Sequence, residues 1–188
     1  MIYPYNKKDP SHISERGFLV QKQVEMKEII FREIRAEELD VLDDLMYEAI
    51  YQPEGSEPVP REVIQAPKVN VYIDRFGSKK DDHCLVAELG GRIIGAVWVR
   101  ILADEIKGYG NIDDQTPEFV ISLFKGYRNR GIGTLLMQKM IGHLSKQGYA
   151  QASLSVQKQN YAVKLYQKLG FKIIHENEED YLMLLKLK

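Results

Sequence analysis

Only one of the 188 residues is a cysteine, so no disulfide can close within the chain and no thiolate cluster can frame a zinc ion. A reducing, cytoplasmic setting suits that scarcity best. Net charge is also nearly absent, at −1, which removes any bulk attraction to nucleic acid or to an anionic lipid surface, and neither is expected as a partner. No apolar run approaches the length needed to cross a bilayer. Lys7 and Lys8 stand near the N-terminus, but Asp9, Pro10, Glu15 and Arg16 interrupt the apolar stretch that a secretory leader would need. What remains is ordinary: 44% hydrophobic and 28% charged residues, and length enough for one domain with its own core.

Residues 119–133, FVISLFKGYRNRGIG, concentrate the chemistry. The first six are apolar apart from Ser122 and short enough for a buried strand, while Lys125, Gly126 and Asn129 supply a turn. A helix is expected from near Gly131, because Ile132, Leu135, Leu136, Met140 and Leu144 fall at helical spacing and Gly148 stands just past the end. Residues 128–134 thus form a helix N-terminus at the carboxyl end of a strand. Unpaired N–H groups and the helix dipole favour an anion there, and Gly131 and Gly133 carry no Cβ to hold its oxygens away. Two better-known phosphate loops do not fit. No Gly-Lys-Ser/Thr ending is present, and Leu136 stands where a dinucleotide fingerprint wants Gly or Ala.

The remaining segments follow in order. Residues 29–34 read as a first strand, and Leu39, Leu42, Leu45, Met46, Ala49 and Ile50 as the apolar stripe of a helix. Prolines at 53, 58, 60 and 67 break the next stretch, leaving room for one short turn over 61–65. Residues 85–89 and 92–101 read as a hairpin about Gly90-Gly91, with Ile94, Ala96, Trp98 and Arg100 alternating with Ile93, Val97, Val99 and Ile101. In the strand 149–156, Ala150, Ala152, Leu154 and Val156 share one face, and Gln151, Ser153 and Ser155 the other. A short helix through Ala162, Leu165, Tyr166 and Leu169 stops at Gly170, and 171–174 pairs with 181–185 as a closing hairpin. Asp81, Asp82, His83 and Cys84 lie together, but no second cluster is spaced to complete a coordination sphere, so no metal is expected.

Arg128, Gly131 and Gly133 match the Arg/Gln-x-x-Gly-x-Gly/Ala signature of the GNAT superfamily of N-acyltransferases, which the chain resembles. A second signature follows at the family's usual distance, in Leu154-Ser-Val156, Asn160, Ala162, Leu165-Tyr166 and Gly170-Phe171. The resemblance implies an α/β (α+β) fold over 29–188, with a mixed, mostly antiparallel sheet flanked by helices on both faces and splayed open to hold acetyl-CoA. Residues 1–28 fall outside it as an N-terminal extension. Within that extension 1–23 is a candidate self-association arm, which would make a homodimer.

Direct acyl transfer to a primary amine is the implied reaction. Backbone N–H groups of Arg128, Asn129, Arg130, Gly131, Ile132, Gly133 and Thr134 would take the pyrophosphate, and the edge of Ile121 to Leu123 would pair with the pantetheine amides. By resemblance, a backbone N–H near Leu123 would face the thioester carbonyl, Tyr166 would protonate the departing thiolate, and Asn160, a helix cap in any case, would touch CoA. Glu118 is the candidate base, acting through water; on a regular strand it shares a face with Val120 and Ser122, and a bulge would change that parity. A base is needed because an amine of pKa near ~10.4 is neutral in only about one molecule in ~2500 at pH 7, a deficit of roughly 4.6 kcal/mol. The acceptor stays open between a small polyamine-like or amino-sugar molecule and a protein amine, with Glu54, Glu57, Asp113 and Asp114 as groups that could attract a cation. The alternative is a module that binds acyl-CoA without turning it over.

Overall fold

The computed structural model describes residues 26–187 apart from 27 and 54. The proposed self-association arm lies outside the described residues, as does Glu54.

Seven strands form one sheet in the order β1-β2-β3-β4-β5-β7-β6. In chain order they are β1 (Ile30–Glu33), β2 (His83–Leu89), β3 (Arg92–Arg100), β4 (Glu118–Leu123), β5 (Gln151–Gln157), β6 (Lys172–Glu176) and β7 (Asp180–Lys186). Every pairing is antiparallel except that of β4 with β5. Among the described residues four helices accompany them: α1 (Val41–Ala49), α2 (Pro67–Asn70), α3 (Ile132–Gln147) and α4 (Ala162–Lys168). The sheet has a core on each face, as strand alternation requires. On one face Leu136, Met137, Met140 and Leu144 of α3 pack on Val97, Val99, Phe119, Ala152 and Leu154. On the other, Leu42, Leu45 and Met46 of α1, with Tyr72 and Phe76, cover Val86, Ala96 and Trp98.

Three expectations need adjustment. The first helix is divided, with a 3₁₀ turn at Ala36–Glu38 ahead of α1. Pro67 opens α2 instead of ending structure, because at the first helical position its missing N–H would have had no partner. In β3, Ala87 pairs with Gly95 and Glu88 with Ile93, so Ile94 is an extra residue in a bulge. Ile94 therefore joins Val97 and Val99 in the α3 core, while Ile93 packs with Ala96 and Trp98.

Candidate active site

The site begins where the sheet parts. Glu118 and Ser153 are the one register pair between β4 and β5, backed by a Ser153 N–H bond to the Pro117 carbonyl at 3.0 Å. In an antiparallel pair the backbone groups of successive residues point alternately toward and away from the partner strand. Phe124 N–H donates to Ile94 O at 3.1 Å on the β3 side, so the backbone groups of Phe119, Ile121 and Leu123 face β5. Beyond Glu118 that edge has no strand against it, and an extended amide-bearing ligand can pair there.

At the far end of this edge stands the start of α3. Asn129 and Gly131 both hold positive φ, 60° and 84°, which swings the chain from a 3₁₀ turn at Lys125–Tyr127 into the helix. Leu135 N–H donates to Gly131 O at 3.2 Å and opens the helical ladder, leaving the N–H groups of Gly131, Ile132, Gly133 and Thr134 ahead of it. The two glycines serve different ends. A Cβ on Gly131 would meet nothing within 4 Å, so the surface above it is open and its φ is what requires glycine. A Cβ on Gly133 would lie 3.2 Å from Leu123 Cδ1 and 3.6 Å from Ile121 Cδ1, so its smallness lets the helix approach β4. Clearance for an anion is not what Gly133 provides.

Arg128 also departs from the expectation. Its N–H donates to the Lys125 carbonyl at 3.3 Å and is not free to meet a phosphate. Its guanidinium donates to Leu123 O at 2.9 Å, to Glu48 O at 3.0 Å and to Glu48 Oε2 at 2.7 Å. Arg128 is thus a strut between the end of β4 and the end of α1. Glu48 lies 80 residues away in sequence, so no local pattern could have announced the contact. Arg130 lies over the Tyr127 ring, 5.7 Å from its centroid.

Glu118 sits at the vertex of the opening with 2% of its surface exposed. The register from Arg100↔Glu118 to Gly95↔Leu123 is unbroken, so Glu118 does share its face with Val120 and Ser122, toward α1 and α2. Its Oε1 accepts from the Tyr72 hydroxyl and from Gly110 N–H at 2.6 Å, whereas Oε2 is buried without a partner among the described residues. Burial pushes the carboxyl up to about 7, against the opposing pull of the Tyr72 and Gly110 hydrogen bonds. Two glycines permit this enclosure: a Cβ at Gly108 would overlap Oε2, and one at Gly110 would lie 2.7 Å from Oε1.

Tyr72 escaped the sequence reading because it lies in a stretch with no chemical motif. Its hydroxyl donates to Glu118 and accepts from Tyr109 N–H at 2.6 Å. Trp98 Nε1 donates to the Tyr72 carbonyl at 3.2 Å, and Arg100 grips the neighbouring carbonyls of Val71 at 2.9 Å and Asp74 at 2.7 Å. Arg100 is held in turn by two 2.7 Å bonds to Asp82, whose side chain is fully buried. The spacing of Val69, Tyr72, Ile73 and Phe76 was the available signal, a helical stripe following Pro67.

Tyr166 lies on the opposite face, in the α3 core, with edge contact to Phe171 at 6.0 Å between centroids. Burial pushes its phenol well above the usual range, so it carries its proton throughout the physiological span. Asn160 caps α4 as expected, its Oδ1 accepting from Ala162 N–H at 2.9 Å. The four adjacent residues near the start of β2 go separate ways. Asp81 accepts from the Tyr149 hydroxyl, Asp82 pairs with Arg100, and His83 stacks on His143 at 3.6 Å. Cys84 is buried, its thiol raised by desolvation, and has none of the character of a nucleophile.

The geometry agrees with known proteins. An acetyltransferase of the GNAT family from Streptococcus pneumoniae superposes with a TM-score of 0.61 at 25% identity, covering 86% of this chain and all of that one. PaiA N-acetyltransferase from Thermoplasma acidophilum, solved with coenzyme A, gives 0.62 at 24% identity over 84% and 98% of the two chains. Mycothiol acetyltransferase of Corynebacterium glutamicum is 28% identical over 124 residues, which is 65% of this chain but only 37% of that protein. The family model described as "Acetyltransferase (GNAT) family" matches residues 44–171, more than half of the sequence, and the chain belongs to that family.

Proposed function

We propose that the protein is an acetyl-CoA-dependent N-acetyltransferase that moves the acetyl group directly onto a primary amine. The observation that carries this reading is the opening between β4 and β5, which has Glu118 on one face at its vertex and Tyr166 in the core of the other. Base and acid then approach a thioester lodged in the opening from opposite sides. Ile121 and Leu123 offer backbone groups along the edge, and the first turn of α3 offers N–H groups to the pyrophosphate.

Proton movement follows from these positions. Glu118 takes the proton of the ammonium form, and a carboxyl held near 7 is matched to that duty at neutral pH. The neutral amine attacks the carbonyl carbon, a backbone N–H on the β4 edge receives the developing oxyanion, and the C–S bond breaks. Tyr166 donates to the departing sulfur and is restored by the second amine proton, so one proton is released overall. Three steps along the strand lead from Glu118 to Ile121, roughly 10 Å, so the base does not touch the reacting nitrogen and water must carry the proton. A cytoplasmic location belongs to the same proposal, supported by the single buried Cys84.

Calorimetric titration of acetyl-CoA into wild type and Gly131→Glu tests the donor half, because the variant places a carboxylate where the first-turn N–H groups meet the anion. Wild type is expected to bind and the variant to lose binding. Spermidine, glucosamine and a peptide beginning with alanine then probe the acceptor classes by release of free CoA thiol. Binding without release to any of them would favour a module that holds acyl-CoA without turnover.

A further inference from the structure

We propose that Ser153 is a positioning residue for proton removal: its hydroxyl and Glu118 Oε2 together hold the water through which the amine's proton reaches the carboxylate. This rests on the reading of Glu118 as the base and adds a residue that nothing in the family signatures marks.

Ser153 and Glu118 are register partners on adjacent parallel strands, so their side chains leave the same face of the sheet, about 4.8 Å apart at the backbone. Both are buried, Ser153 completely, and both Ser153 Oγ and Glu118 Oε2 lack a hydrogen-bond partner among the described residues. Buried polar atoms are nearly always satisfied, and two orphans side by side make a place for a small polar guest. Glu118 Oε1 already accepts from Tyr72 and Gly110, which leaves Oε2 as the oxygen that takes a proton. On the side of Gly108 the missing Cβ lets the loop close over Oε2, and Gly110, whose Cβ would meet both the Glu118 carboxyl and the Leu154 backbone, brings the same loop against β5. There the polar face continues. Ser155, two residues on and half-buried, donates to Asp180 Oδ2 at 2.7 Å, while Ala152, Leu154 and Val156 turn into the other core. The step from Ser153 to Ser155 is about 6.7 Å, near the span of one bridging water.

The proton passes from the ammonium nitrogen, by way of water filling the opening, to the bound water as that water gives its own proton to Oε2. The amine is left neutral, the waters unchanged and Glu118 protonated, to be discharged to solvent after turnover. A serine that merely fills space predicts something else, since removing a buried hydroxyl without a partner leaves folding unharmed and turnover untouched.

A crystal structure of the full chain at high resolution is the first arm of the test. A water within hydrogen-bond distance of both Ser153 Oγ and Glu118 Oε2 is expected, and a dry contact there overturns the proposal. The second arm compares Ser153→Ala and Glu118→Gln, using whichever of spermidine, glucosamine and the alanine peptide is acetylated fastest. Ser153→Ala should lower kcat about tenfold or more at pH 7 with KM for acetyl-CoA and the melting temperature preserved. That gap should close toward pH ~10, where the amine sheds its proton unaided. A normal kcat, or a loss equal at every pH, refutes the role of Ser153. If Glu118→Gln is slow while Ser153→Ala is normal, only the relay fails. A fully active Glu118→Gln removes the base itself.

Discussion

Replacing Glu118 with glutamine should make the protein less active and, from neutral pH upward, more stable, and the size of the gain can be worked from its surroundings. The carboxyl moves from an ordinary 4.5 to about 7 in the fold. Because the folded value is the higher, Glu118 carries its proton in both states below pH 4.5 and costs nothing there. As pH rises the unfolded chain ionises first, and the penalty grows until the folded carboxyl also ionises near 7. Above that point it is constant, at about 3 kcal/mol for a gap of this size. Glutamine carries no such penalty and keeps an oxygen for Tyr72 and Gly110, but its NH₂ group stands where Oε2 has no partner among the described residues, and turning the water shared with Ser153 from donor to acceptor costs about 1–2 kcal/mol. The variant is therefore expected to be the less stable protein near pH 4.5 by about 1–2 kcal/mol, and the more stable one at pH 8–9 by a similar amount. Urea denaturation of both proteins at half-unit steps across this range measures the crossing. A stability difference independent of pH, or one in which wild type gains as pH rises, would refute the reasoning about burial.

Three further outcomes follow from the same contacts. Tyr166→Phe should lower kcat toward the low end of the ~10²- to 10⁴-fold range for acid catalysis, and an unchanged kcat would return Tyr166 to a packing role. Tyr72→Phe removes a hydrogen bond that favours the ionised form of Glu118, so the acidic limb of the kcat/KM profile should move upward from about 7; a stationary limb would show that the phenol does not tune the base. Asp82→Ala strands the buried Arg100 guanidinium and should cost about 3–5 kcal/mol in denaturant unfolding. A loss below about 1 kcal/mol would mean that the carbonyls of Val71 and Asp74 suffice to hold it.

The strands and the long helix were legible because their signals are local. Gly131 and Gly148 both adopt the positive φ implied by their places at the two ends of α3, and Gly90 and Gly91 turn the hairpin as a positive-φ pair. The 3₁₀ turn at Arg61–Gln65 falls where the prolines left room for it. What could not be read were facts that depend on distant partners. The bulge at Ile94 exists only against Ala87 and Glu88, and it reassigns two side chains between cores. The motif puts the Arg128 N–H among the phosphate donors, whereas the Lys125 carbonyl takes that N–H and the guanidinium runs to Glu48 across the fold. Glu118 is singled out by its place at the head of β4, but Tyr72 and Gly110 reach it from other segments, and nothing near residue 118 encodes them.

One register pair between β4 and β5 also has a mechanical meaning. The sheet amounts to two panels, β1 to β4 and β5 with β7 and β6, joined along a seam fastened at one end only. In the proposed reaction an extended donor lying on β4 would stand in for the absent rungs, so the compound being consumed would for that interval be a structural member. Binding would then stiffen the seam, and departure of the product would slacken it. The architecture would be finished and unfinished once in every catalytic cycle.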